Sequence, residues 1–253
     1  MKIFVINLKK SVFRREAITS RLDELGLEFE LLDAVDGRDM SEEERRVHTK
    51  ELNYAFLPGE IGCALSHQKA YKRMIDNNIS EALILEDDAL LPDCLPSLLS
   101  NEMLTSSKPG ILLLSRVNKY IKKPTRSLNG IFSVHSVHNA TTAHSYIINL
   151  SGAKNLLRSL YPIWMTSDKW SLFEDYSLVN IEAIIPEPVT LGENAKTSTI
   201  NHSKCDDDIL KVKKETWEKL MKKRPVRVRV KHRLRRAITP IFNKIIDQKK
   251  GPR

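Results

Sequence analysis

The chain has 253 residues, 41% hydrophobic and 29% charged, with a formal net charge of +9 and a mean hydropathy of -0.33. That length allows one large core with an appendage, and no run approaches the roughly eighteen apolar residues of a membrane span. Cys63, Cys94 and Cys205 are odd in number and far apart, which excludes a disulfide framework and a thiolate metal knuckle and points to a reducing cytoplasm.

The charge is unevenly spread. Residues 204–253 carry 18 Lys and Arg against 6 Asp and Glu, a balance of +12, and residues 1–203 therefore carry -3. A slightly acidic body with a basic tail predicts two units: 1–203 for the chemistry, 204–253 for contact with an anionic surface or polymer.

In chain order, residues 2–8 read as a first strand, too short and too poor in small residues for a secretory signal. Ser11 can cap a helix over 12–25 that Gly26 stops. A strand over 29–34 then leads into the polar turn Asp36-Gly37-Arg38-Asp39, so strand, helix and strand predict a parallel βαβ unit. The loops at its carboxyl ends gather Asn7, Arg14, Arg15, Asp33 and Asp36, suited to a ribose and phosphates; ordinary surface is the plainer reading. A charged stretch over 41–50 reads as helical.

Pro58-Gly59-Glu60 announces a helix over 60–77. Glu60, Ala64, His67 and Tyr71 share one face, with Cys63 and Ala70 beside them. Ser66 and His67 point about a hundred degrees apart, which rules out a hydrolase dyad, and His67 reads first as a buried, satisfied imidazole. Its small neighbours allow another element to approach closely.

Residues 82–91 hold the densest signal, an apolar run, then Glu86-Asp87-Asp88, then a second apolar run. The first run reads as a strand buried on both faces that delivers the acids at its carboxyl end, where open α/β sheets keep their ligands. Crowded carboxylates need solvent, a basic partner or a divalent cation. On an extended chain Glu86 and Asp88 face the same side and can share one hard ion. A solvated acidic turn is the alternative.

Downstream, a helix is expected over 94–103 and a strand over 110–115. Residues 119–132 read as a basic mobile loop, of the kind that can cover an active site. A strand over 141–149 is followed by a helix capped near Ser151. Residues 162–168 turn into a helix, with Asp168 near its N-terminus as a base, a metal ligand or a plain cap. A strand over 177–185 ends at Pro186. In the tail, 209–223 is an amphipathic helix broken by Pro225, residues 226–231 alternate, and Leu234, Ile238, Ile241, Phe242, Ile245 and Ile246 form an apolar stripe amid Arg and Lys. Such a segment reads as a membrane-surface anchor. Nucleic acid is the rival partner, and no finger, RNA-recognition signature or aromatic platform accompanies the charge.

Four blocks in order make residues 1–203 resemble glycosyltransferase family 25, the lipopolysaccharide and lipooligosaccharide sugar transferases that share a domain with collagen galactosyltransferases. They are Phe4-Val5-Ile6-Asn7-Leu8 with Arg14-Arg15 and Asp33-Ala34-Val35-Asp36-Gly37; Gly59-Glu60-Ile61-Gly62-Cys63-Ala64-Leu65-Ser66-His67; Leu83-Ile84-Leu85-Glu86-Asp87-Asp88; and the strand then helix over 143–157. The resemblance implies a GT-A-like α/β fold, a mixed and mostly parallel sheet with helices on both faces. It also implies a UDP-sugar donor, inversion at the anomeric carbon, and a lipid-linked oligosaccharide acceptor at the inner face of the cytoplasmic membrane. By the same resemblance, Asn7, Arg14, Asp36, His67, Glu86 and Asp87 bind the donor. Asp88, with Glu86, holds a divalent Mn²⁺ or Mg²⁺ on the diphosphate, and His202 stands where some GT-A enzymes place a late histidine ligand. Asp168 is the expected base, although the preceding Thr166-Ser167 departs from the apolar residue expected there. Trp170 is open between sugar stacking and the core. The competing functions are a metal-dependent phosphoesterase and a non-catalytic adaptor driven by the tail.

Overall fold

The computed structural model describes residues 1–101, 103–192 and 207–248. In chain order the elements are β1 (Lys2–Asn7), α1 (Val12–Glu24), β2 (Glu30–Asp33), α2 (Glu42–His48), α3 (Pro58–Asp76), β3 (Glu81–Glu86), β4 (Ala89–Leu90) and α4 (Leu95–Leu99). They continue as β5 (Gly110–Leu113), β6 (Lys119–Ile121), β7 (Arg126–Ser127), β8 (Ser133–Asn139), β9 (Ser145–Asn149), α5 (Leu150–Leu160), α6 (Trp170–Asp175), β10 (Asn180–Ile185), β11 (Thr190–Leu191), α7 (Asp207–Lys222), α8 (Val226–Phe242) and β12 (Ile245–Asp247).

One mixed sheet runs β12-β6-β8-β10-β5-β9-β3-β1-β2, with β7 paired to β8. The predicted parallel unit is present: β1 lies parallel to both β2 and β3. Parallel pairing returns only between β5 and β10, and the other neighbours are antiparallel. Alternate residues of each central strand feed opposite faces. Phe4, Ile6, Ala82 and Ile84 join a core under α3, α5 and α6, whereas Ile3, Val5, Leu83 and Leu85 join one under α1 and α4. Burial on both faces is why β3 reads as an unbroken apolar run.

Several local expectations change. Ser11 makes no side-chain cap, and the cap of α5 is Asn149, whose carboxamide accepts the Gly152 N–H at 2.9 Å. Residues 119–132 are no lid: β6 and β7 lie in this stretch and pair with β8, away from β1–β3. The alternating residues 226–231 open helix α8, where Val226 and Val230, four apart, share the exposed face and Val228 is buried on the other. Trp170 belongs to the core: it is fully buried, donates Nε1–H to the Thr142 carbonyl at 2.7 Å and packs edge-on against Tyr146.

The basic segment is fastened to the body. β12 pairs antiparallel with β6, Leu220 and Val228 are buried, and Trp217 and Met221 pack against the core. Asp175, 3% exposed, accepts from Arg235 Nε at 3.0 Å and from His232 Nδ1 at 2.7 Å. No helix among the described residues is long and apolar enough to cross a membrane.

Candidate active site

Register builds the cleft. Because Ile6 lies opposite Glu86, Asn7 comes level with Asp87 as both strands end. Asn7 Nδ2 donates to Asp87 Oδ2 at 2.7 Å. Arg14, on the first turn of α1, places Nη1 3.2 Å from Asp87 Oδ1 and 3.8 Å from Asp88 Oδ2. Asp36, from the loop after β2, is held by Arg38 Nε and Nη2, each at 2.7 Å, and by Lys10. That hydrogen bonding from Arg38, partly opposed by desolvation, keeps the Asp36 carboxyl well below the usual carboxylate range. Arg14, Asp36, His67, Glu86, Asp87 and Asp88 line one cleft. Asp33, by contrast, is exposed and pairs with Lys9 at the surface.

The back wall exists because two glycines meet. A Cβ on Gly62 would lie 2.4 Å from the Val35 carbonyl oxygen and 2.6 Å from the Gly37 nitrogen. The loop carrying Asp36 can therefore lie directly on α3, as its small residues predicted. Ser66 is no nucleophile for His67: its hydroxyl donates to the Gly62 carbonyl within α3 and accepts the Val35 N–H of the loop packed on it.

His67 is 1% exposed and bridges two elements. Nδ1 lies 2.8 Å from the Tyr146 hydroxyl, itself 2.8 Å from that of Tyr71, and Nε2 lies 3.2 Å from Glu86 Oε1. Burial pushes the Glu86 pKa up, but the His67 hydrogen bond and nearby positive charge more than offset it and leave Glu86 below its ordinary value. Asp87 is raised by desolvation, with Asn7 and Arg14 opposing. Asp88 is pushed up to about 6, by desolvation first and the Glu86 charge second.

The strand ends at Glu86 and Asp87–Asp88 form a turn. Glu86 and Asp88 therefore do not face one side of an extended chain as expected. Glu86 turns to His67, while Asp87 and Asp88 turn to Arg14. Asp88 still fits a divalent cation, since its Oδ1 is buried with no hydrogen-bond partner among the described residues. A softer donor set also converges here: ligand atoms of Cys63, His67 and Glu86 all lie within 4.8 Å of one another. The i, i+4 spacing of Cys63 and His67 was its only trace in the sequence. Burial pushes the Cys63 thiol up, favouring its neutral form. His144, whose carbonyl accepts the Glu86 N–H at 2.9 Å, was also missed; its Nε2 is buried without a partner among the described residues, and desolvation lowers its pKa.

Asp168 stands apart from the three acids. It accepts from Thr166 Oγ1 at 2.6 Å and lies 3.4 Å from Lys169 Nζ. The cap position of α6 is Lys169, so Asp168 is not the plain cap. It lines a second cavity, of about 280 Å³, which shares Cys63 and Glu86 with the first. Glu86 thus divides an acid-lined cleft from a chamber holding Asp168. From α7, Lys213 enters that chamber and pairs with Glu60. His202 lies outside the described residues.

An α/β sheet whose parallel strands deliver clustered acids and an arginine to one carboxyl-end cleft defines a class of ligand-binding enzyme-like folds. Comparison supplies the family. The family model described as glycosyltransferase family 25 (LPS biosynthesis protein) matches residues 1–171, and the chain belongs to that family. Human procollagen galactosyltransferase 2 is 27% identical over 173 residues, and a glycosyltransferase 25 family member of Drosophila melanogaster is 31% identical over 172. Each alignment covers 62% of this chain, and the chain spans only 27% of either relative's length. A crystal structure of a glycosyltransferase involved in glycosylation of the major capsid of PBCV-1 aligns over 63% of this chain and 65% of its own, at 12% identity and a TM-score of 0.32.

Proposed function

We propose that the protein is an inverting glycosyltransferase of GT-A type that moves galactose or glucose from a UDP-sugar to a terminal sugar of lipooligosaccharide or lipopolysaccharide, in the manner of a β-1,4-galactosyltransferase. The observation that carries this reading is the paired chamber. In a family-25 chain, an acid-lined cleft suited to a donor adjoins, across Glu86, a chamber with a separate carboxylate.

In this reading Asn7, Arg14, Asp36, His67, Glu86 and Asp87 bind and orient the donor, with Arg14 countering diphosphate charge. Asp88, whose buried Oδ1 has no partner among the described residues, is the residue that would hold Mn²⁺ or Mg²⁺, while Glu86 is turned to His67. When bound, such an ion neutralises charge on the leaving UDP. Asp168 removes the proton of the attacking acceptor hydroxyl. The oxygen–anomeric carbon bond forms as the bond to the β-phosphate oxygen breaks, so UDP leaves with the bonding electrons and the configuration inverts. His67 fixes Glu86 through Nε2, and the Tyr146–Tyr71 hydroxyl pair holds His67 from Nδ1.

Membrane attachment is part of the proposal. α8 leaves Val226, Val230, Leu234, Ile238, Ile241 and Phe242 exposed, about four residues apart, beside exposed Arg227, Arg229 and Arg233. An amphipathic basic face of this kind suits the anionic inner surface of a membrane bearing the acceptor. The test of the chemistry is product analysis by NMR after incubation with UDP-hexoses and lipooligosaccharide. A β-linked hexose from an α-linked donor supports inversion; an α-linked product, or phosphate release without transfer, overturns it.

A further inference from the structure

A third cavity, of about 790 Å³, opens beyond the Asp168 chamber and is walled by α6, α7, α8 and the start of the loop after β8. The two cavities share Tyr54, Thr141, Lys169 and Lys213, so they adjoin. Its lining is strongly biased in charge. Lys169, Lys213, Lys214, Arg224, Arg235 and Arg236 face it, against Asp175 alone among the acids.

Half of these cations are already committed within the fold. Lys169 is spent on Asp168, Lys213 on Glu60, and Arg235 on Asp175 and Glu174. Lys214, Arg224 and Arg236 have no acidic partner among the described residues, and they belong to α7, α8 and the link between them. Uncompensated cations gathered around one concavity raise the local concentration of anions and hold them by charge-assisted hydrogen bonds. The floor is apolar: Trp217 packs edge-on against Tyr54 with ring centroids 5.3 Å apart. An aromatic floor beneath a cationic rim suits a sugar ring with an ionised substituent.

We infer that this cavity is an acceptor subsite that selects an oligosaccharide carrying an anionic group, phosphate or carboxylate, on a sugar other than the one receiving the hexose. The inference rests on the transferase reading and adds to it, because α7 and α8 lie outside the family-matched residues 1–171. It assigns to the basic segment a role in substrate choice, with the membrane stripe of α8 left free for its own contact.

Calorimetric binding of oligosaccharide released from lipooligosaccharide tests it without requiring turnover. Three preparations are compared: intact, stripped of phosphate with hydrofluoric acid, and with carboxylates reduced to alcohols. The intact material binds the wild-type protein at least about tenfold tighter than whichever preparation has lost the recognised group, and about 0.5 M salt erases that preference. A Lys214→Gln/Arg224→Gln/Arg236→Gln variant loses the preference, whereas a Lys211→Gln/Lys219→Gln/Lys222→Gln control, equal in charge and on helix α7 outside the cavity, keeps it. Equal binding of all three preparations by wild type overturns the inference, as does equal loss in the control. Should a phosphate or carboxylate preference persist while no UDP-hexose is turned over, the subsite stands and the transferase reading falls.

Discussion

At the scale of single residues, the proposed cation ligand Asp88 and the proposed base Asp168 differ in surroundings. Asp88 is crowded by Glu86 and desolvated, with an oxygen lacking any partner among the described residues, and is pushed up to about 6. An acid whose folded pKa exceeds its ordinary 3.8 costs stability as pH rises between those values, and the full cost is present above pH 6. Asp88→Asn is therefore expected to stabilise EDTA-treated protein by about 3 kcal/mol at pH 7.5, with the gain fading toward pH 4 in denaturant titrations. The same variant loses about 10²-fold or more in transfer. Asp168 instead rests on Thr166 and Lys169. Asp168→Asn is expected to cut kcat by about 10²–10⁴-fold while leaving UDP affinity by calorimetry unchanged.

Among elements, the contact of the β2–α2 loop with α3 decides whether the cleft exists. Gly62→Ala places a methyl 2.4 Å from a backbone oxygen that no side-chain rotation can move. A loss of about 1–3 kcal/mol in urea titration, with a raised KM for donor, is the expected outcome. The helix α6–α8 junction depends on Arg235, which reaches Asp175, Glu174 and two carbonyls at once. Arg235→Met strips a buried carboxylate of its main partner and should cost about 3 kcal/mol; hydrogen exchange over 226–242 reads it directly.

Sequence patterns were informative at this scale wherever burial was uniform. β3 announced itself because both faces are covered, and the βαβ unit because its periodicities change cleanly. β8 did not: Ser133-Val134-His135-Ser136-Val137-His138-Asn139 mixes polar residues into a strand that lies between β6 and β10 near the sheet's end. The acid motif was found, but its orientation was not, since strand geometry ends at Glu86 and the chain turns at Asp87–Asp88 where extended backbone was expected to continue to Asp88.

For the molecule as a whole, the feature least legible in the sequence was the docking of residues 207–248. Its charge asymmetry argued for a separate tail, yet the pairs that hold it, Arg235 with Asp175 and Lys213 with Glu60, join partners 60 and 153 positions apart. No local pattern encodes such spacing. Of the apolar stripe that the pattern did reveal, Leu234, Ile238, Ile241 and Phe242 lie on the side of α8 that remains exposed, whereas Ile245 and Ile246 belong to β12 and pair with β6. Vesicle sedimentation should show binding to phosphatidylglycerol-containing membranes and little to pure phosphatidylcholine. Leu234→Glu/Ile238→Glu should abolish that binding while preserving transfer to a soluble acceptor.

The central claim is that the acid cleft serves sugar transfer from a nucleotide. Its most direct test is UDP release by purified protein across a panel of UDP-hexoses with a lipooligosaccharide acceptor, with Mn²⁺ or Mg²⁺ and with EDTA, beside Asp88→Ala. The account predicts release from one hexose donor, dependent on acceptor and divalent cation and lost in Asp88→Ala. Silence with every donor, or release that Asp88→Ala leaves intact, would contradict it.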